Sequence, residues 1–298
     1  MTDQQDADEF ARHIFAGIES SYDRSTPQGA ARGHEYDSLF SVRQREVHTC
    51  GQCHDNLVDK VEELAQGLIV YPKADADNDT VQDAITRSLN ESREHKCKMC
   101  KKAKVNLDTR CSIVAAPEYL RIYLSPYTVV KSYGKDENGN HASDTSVTKN
   151  TRHIEIPDIL DITQHMNYPE AIENPDPVHY KLVSATYHRG QELTSGHYTA
   201  AVTGPTLQGR RTRPQFFCND AAITSLTPTA ARPNAITGNP MEGDFDAIAL
   251  YYERIAPTKN PVDLVKKLKT ADQIIRDQIV LDGAGARRRS SGKSGEKA

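Results

Sequence analysis

Polar and apolar positions change period several times along the 298-residue chain, and each change predicts a different element. From Asp6 to Glu19, apolar residues Ala7, Phe10, Ala11, Ile14 and Ile18 recur at three- to four-residue spacing with charged residues opposite, which predicts a helix. Residues 21–36 (SYDRSTPQGAARGHEY) are rich in Gly, Pro and Ser and read as a loop. Short strand-like runs flank the first cysteine pair, and LIVY at 68–71 is another. A second short helix is expected after Thr80, which is placed as its N-cap with Asp83 three residues on; Val81, Ala84, Ile85 and Leu89 would form its buried stripe. Past residue 110 the period falls to two: CSIVAAP, EYLRIYLSPYT, HYKLVSATYH, GHYTAAV, QFFC and AIALYYER all read as strands. Residues 131–150, with an Asn-Gly step, read as an exposed loop or hairpin tip, and polar excursions at 203–214 and 226–243 separate strands. Residues 261–281 return to helical spacing with Pro261 at a first helical position, and the basic, Gly- and Ser-rich end that follows reads as disordered. Helix first and strands later predicts an α+β fold, not alternating β-α-β units.

Composition narrows the classes. With 37% hydrophobic and 26% charged residues the chain reads as a soluble globular protein, long enough to bury a real core. No run approaches the roughly 18 apolar residues of a membrane span, and the acidic start MTDQQDADEF is unlike a secretory signal. A soluble protein of the cytoplasm and/or nucleus, with no membrane partner, is therefore expected. A net charge of -4 weighs against nucleic acid as the main partner. The run Arg287 to Arg289 reads as part of a solvated tail, not as a targeting patch.

Four of the six cysteines form two C-x2-C pairs, Cys50/Cys53 and Cys97/Cys100. One such turn brings two thiolates to adjacent corners of a tetrahedron, and a second supplies the other two, so the pattern points to structural Zn2+. Redox C-x2-C motifs need a helix N-terminus in a β-α-β setting, which neither pair has. Lys96, Lys98, Lys101 and Lys102 would offset the charge of a zinc tetrathiolate. Because the gap between the pairs is long, the knuckles should cap the tips of strands that run out and back. A second constellation is His197 in SGHYTAAV, followed downstream by Asn219 and Asp220 in FFCNDAAI. Alone, such a histidine is more often satisfied by backbone. An Asn or Asp brought beside it would fix its tautomer, as a general base requires.

Taken together, these motifs resemble the ubiquitin-specific protease family of papain-like cysteine deubiquitinases. QQDADEF (4–10) is similar to the family's QQDAxEF helix, and Cys50, Cys53, Cys97 and Cys100 match its zinc-holding fingers. YKLVSATYHRGQELTSGHYTAAV (180–202) is similar to its histidine box, CNDAAI to the following strand and AIALYYER to the closing "aYlLfY" strand. The resemblance implies a finger, palm and thumb architecture over residues 1–256; residues 257–298, read from their own pattern, form a C-terminal helix and basic tail beyond it. It implies His197 as general base, Asn219 as its orienting group and Asp220 as an assisting acid. It also implies that Gln4, Asp6 and Glu9 meet the C-terminal tail of ubiquitin, the partner of the family. One departure concerns the nucleophile. The family's cysteine box, roughly G-N-T-C-x-x-N, stands ahead of the QQD helix, and this chain begins at that helix. A truncated thumb is expected, leaving Phe10, Ile14 and Ile18 partly exposed. Neither Cys111 nor Cys218 has the setting of a nucleophile; Cys218 precedes Asn219 on a strand and should face the other way. Gln215 stands where tryptophan is common. The implied function is thiol-dependent hydrolysis of the isopeptide bond at the ubiquitin C-terminus, in a chain lacking the thiol. The rivals are an inactive ubiquitin-binding pseudoenzyme and a zinc-stabilised scaffold.

Overall fold

A computed structural model of the protein describes residues 7–73, 79–125, 127–135, 141–149, 154–167, 176–190, 195–205, 212–229, 234–236 and 246–255. The chain opens with helices α1 (Ala7–Ser20) and α2 (Pro27–Phe40), then runs through strands β1 (Val42–Cys50), β2 (Asn56–Ala65) and β3 (Leu68–Val70). Helix α3 (Val81–Ser88) precedes β4 (Asn90–His95), β5 (Val105–Ala115), β6 (Tyr119–Leu124), β7 (Tyr127–Lys135) and β8 (His141–Lys149). The remaining strands are β9 (Ile159–Asp161), β10 (His179–Arg189), β11 (His197–Thr203), β12 (Gln215–Asn219), β13 (Ala222–Leu226) and β14 (Asp246–Arg254). They build a small sheet ordered β2-β1-β5-β4, a large sheet ordered β13-β12-β11-β10-β14-β6-β3 with β9 beside β10, and the hairpin β7-β8. The α+β class expected from the sequence is the one observed. Pairing is antiparallel throughout these sheets except between β3 and β6, which run parallel.

The core lies on the large sheet, where Leu120, Ile122, Leu182 and Leu250 are fully buried, with Val81, Ala84 and Ile85 of α3 packed into the same cluster. Thr80 caps α3 by accepting from the Asp83 backbone N–H at 3.0 Å, as its sequence predicts. Three buried tyrosines reach across this core to loop carbonyls. Tyr180 donates to Pro117, Tyr187 to Ile236 at 2.8 Å, and Tyr252 to Pro157 at 2.8 Å.

Helix α1 is clamped by an ion pair between Asp8 and Arg121 of β6, whose side chains are both 7% exposed, and by Phe15, which meets Phe40 of α2 at 5.7 Å. Its Phe10, Ile14 and Ile18 remain exposed, at 62%, 44% and 44%.

The loop expected at 21–36 is corrected: most of it belongs to α2. Thr26 accepts from the Gly29 N–H at 3.0 Å and Pro27 takes the first helical position, a helix start that the Gly and Ser content disguised. Gly29 is required by close approach, since a Cβ there would fall 1.8 Å from the Asp23 carbonyl oxygen. Of the loop or hairpin tip expected at 131–150, the hairpin is what forms: the segment falls largely in the paired strands β7 and β8. The expected helix at 261–281 and the basic tail lie outside the described residues, as do Gln4 and Asp6.

Candidate functional site

Two separate arrangements carry chemistry. The first lies at the outer end of the small sheet. The turn from β1 to β2 carries Cys50 and Cys53; the turn from β4 to β5 carries Cys97 and Cys100. The two turns have the same local fold. Cys50 N–H donates to the Asp55 carbonyl at 3.2 Å and Cys97 N–H to the Lys102 carbonyl at 3.0 Å, each five residues on. The residue after each second cysteine, His54 (φ 58°) or Lys101 (φ 62°), takes the left-handed conformation that closes the turn. Backbone N–H groups then point at sulfur: Gln52 at Cys50 (3.4 Å), and Met99 and Cys100 at Cys97 (3.3 and 3.4 Å). This pairing brings all four Sγ atoms within 4.8 Å of one another, with Cys53 and Cys97 3.9 Å apart. Tetrahedral zinc with Zn–S bonds of about 2.3 Å requires S···S separations of about 3.8 Å, so the donor set fits that ion.

The thiols also perturb one another. The Cys100 backbone N–H, aided by that of Met99, draws Cys97 down to about 7 against the cost of burial. At Cys53 the Asp55 backbone N–H likewise pulls downward, but burial and side-chain hydrogen bonds with Cys50, Asp55 and Cys97 outweigh it and push the thiol up to about 12. Four sulfurs this close do not share negative charge comfortably without a cation. Around them the local core consists of little but Cys50, Cys97 and Val105, with Leu107 beside it.

The second arrangement lies on the large sheet. His197 opens β11 and Asn219 closes β12, and antiparallel pairing of those strands brings the two side chains together. His197 Nε2 stands 2.6 Å from Asn219 Oδ1. An amide oxygen only accepts, so Nε2 carries the hydrogen and the ring's lone pair falls on Nδ1. Asp220 sits in the tight turn to β13 with φ 49°, a conformation Asp tolerates, and is exposed. Glu9 is exposed on α1. Cys218 pairs with Ala200 in the ladder, one residue before Asn219, so its side chain leaves the opposite face. Cys111 lies on β5 of the small sheet. Gln215 is buried; its amide donates to Asn234 Oδ1 at 2.7 Å and accepts from the Ala235 N–H at 2.9 Å. Two residues are not singled out by the sequence: Asp8, which anchors α1 to the sheet, and Lys149 at the end of β8, which is buried beside Asp246. Asp8 reads as one more solvated acid among its neighbours, and nothing local distinguishes Lys149.

A family model described as ubiquitin carboxyl-terminal hydrolase matches residues 1–251. Among curated proteins, "Ubiquitin carboxyl-terminal hydrolase 36" of Drosophila melanogaster is 27% identical over 257 residues, covering 78% of this chain and 23% of its own length. "Ubiquitin carboxyl-terminal hydrolase 10" of Saccharomyces cerevisiae is 27% identical over 176 residues, covering 59% of this chain and 18% of its own. Among solved structures, a SAGA DUB module containing Ubp8 and bound to monoubiquitin superposes with a TM-score of 0.59 at 19% identity, over 85% of this chain and 49% of the other. A second, bound to ubiquitin aldehyde, also gives 0.59, at 18% identity over 85% and 50%. The chain thus spans under a quarter of those curated relatives and about half of the solved chains. Among the described residues no helix is long and apolar enough to cross a membrane.

Proposed function

Because the chain belongs to the ubiquitin carboxyl-terminal hydrolase family, we propose that it forms the finger and palm portion of a thiol-dependent deubiquitinase, with His197 as its general base and Asn219 as the group that orients it. The observation that carries this reading is the 2.6 Å contact between His197 Nε2 and Asn219 Oδ1, which leaves Nδ1 as the basic atom. A thiol outside these 298 residues would give its proton to Nδ1. The thiolate would attack the carbonyl carbon of ubiquitin's terminal glycine, and the imidazolium would return the proton to the departing lysine amine as the C–N bond breaks. Water, deprotonated by the same Nδ1, would then hydrolyse the thioester and free the thiol. Gln4, Asp6 and Glu9 are proposed to meet the ubiquitin tail, with Asp220 as a supporting acid. The four cysteines are proposed to hold Zn2+. Bound there, zinc supplies cross-linking of the two knuckles and no catalysis, since four sulfur ligands leave no open position.

The test uses ubiquitin bearing a C-terminal electrophile. The 298-residue chain should bind ubiquitin yet form no adduct. Fusing a relative's cysteine-box segment ahead of residue 1 should restore the adduct, and His197→Ala in the fusion should slow it at least about a hundredfold. Labelling of Cys111 or Cys218 in the unfused chain would overturn the assignment. Binding retained in a fusion that never reacts would favour a ubiquitin grip without chemistry.

A further inference from the structure

The last residue of β8, Lys149, carries its ammonium into the interior near Gly190, just past the end of β10. Its side chain is 2% exposed, and Nζ lies 2.6 Å from the Gly190 carbonyl oxygen, 2.8 Å from Asp246 Oδ2 and 3.4 Å from His188 Nδ1. An ammonium removed from water this completely is held only where each proton finds an acceptor, and a carboxylate, a carbonyl and an imidazole nitrogen provide three. Two of these acceptors lie on strands of the large sheet, Asp246 at the start of β14 and His188, its ladder partner, near the end of β10; the third, Gly190, directly follows β10.

His188 is itself 2% exposed, and its ring packs against that of Tyr198 with centroids 4.6 Å apart and planes tilted by 39°. The Nε2 edge of that ring lies against Gly196, where a Cβ would come within 2.0 Å of Nε2, so only glycine fits. Gly196 is the residue immediately before His197. One cation therefore reaches the described residues on both sides of the connection between β10 and β11: Gly190 directly, and Gly196 through the imidazole of His188. With Nδ1 accepting from Lys149, His188 carries its hydrogen on Nε2, and the ring plane is fixed against the Gly196 backbone.

We propose that Lys149 is a positioning residue for His197, holding the backbone at Gly196 so that the His197 ring meets Asn219 in a single orientation. The proposal rests on the reading of His197 as the base, although Lys149 touches no reacting atom. Coupling through a chain of packed side chains is commonly worth a few-fold to some tens-fold in an equilibrium, so the effect on the His197 tautomer should be measurable without abolishing the fold.

The experiment is side-chain nitrogen NMR of the histidines in the full 298-residue chain, which reports the tautomer of each imidazole. In the unsubstituted protein His197 should be overwhelmingly the Nε2–H form, and Asn219→Ala should collapse that preference. In Lys149→Met the ratio of Nε2–H to Nδ1–H at His197 should fall by roughly fivefold. Asp246→Asn, nearly isosteric, should shift it the same way by less and decides the matter if Lys149→Met does not fold. Arg213→Met, which breaks the ion pair with Glu253 seven residues along β14 from Asp246, should leave it unchanged. An unmoved ratio in both Lys149→Met and Asp246→Asn overturns the proposal while leaving His197 as base. An equal shift in Arg213→Met overturns it by reducing the effect to general loosening. A His197 that is not in the Nε2–H form to begin with, or that ignores Asn219→Ala, removes the reading beneath it as well.

Discussion

At the scale of single residues, Tyr180, Tyr187 and Tyr252 set an alkaline limit on stability. Burial pushes all three phenols well above their ordinary value of 10.0. In the unfolded chain they ionise near 10, so above that pH the unfolded state sheds protons that the folded state keeps. Their stabilising contribution is therefore complete below pH 10 and is lost as pH rises toward the folded values. Urea unfolding should show no contribution of these phenols to pH dependence through the neutral range, and a steep decline in stability from about pH 10. Tyr252→Phe should cost about 1–2 kcal/mol at neutral pH, because the Pro157 carbonyl loses its 2.8 Å donor. The same change should make the alkaline decline shallower. A variant as stable as the parent would mean that water replaces the hydroxyl at Pro157.

At the scale of elements, the small sheet has almost no hydrophobic core of its own at its outer end. All six residues of β4 are exposed, and the buried cluster there is chiefly sulfur. Its outer end should therefore stand or fall with the metal, whereas the large sheet keeps its apolar layer. Chelation, or Cys97→Ser, should speed amide exchange across 90–111 while residues 180–189 and 246–254 stay protected; uniform loss across both sheets would refute this. The same contrast explains what the sequence could and could not reveal. Helix α3 was legible because its cap and stripe are local, and the strands of the large sheet because apolar alternation follows burial. β4 (NESREH) carries no alternation, since neither face is covered. α2 hid behind Gly29 and Gly33, which read as loop residues but serve contact with Asp23 and Arg24. The apolar stripe of α1 was read correctly, but its grip on the sheet comes instead from Asp8, whose partner Arg121 lies more than a hundred residues away.

For the molecule as a whole, the two arrangements belong to different sheets, and three residues, Ala116 to Glu118, join β5 of one to β6 of the other. His197 and Asn219 were visible as motifs, yet their contact depends on strands β10, β11 and β12, none of which touches the small sheet in its ladder. From Val42 to Cys50 a nine-residue strand covers roughly 30 Å, so the knuckles are remote from the root of their own sheet. That separation predicts a division of labour. On the proposed function, removing the proposed Zn2+ should weaken ubiquitin binding, because a melted small sheet must be reordered on contact at a cost in entropy. It should leave the His197 tautomer as it was, because nothing in the β11–β12 pairing depends on the sulfurs. Titration calorimetry with ubiquitin, alongside nitrogen NMR of His197, before and after chelation, measures both halves on one sample. Loss of the Nε2–H form together with the metal would mean that the sheets fold as one cooperative unit, and that the base is held by the whole molecule instead of by the strands that carry it.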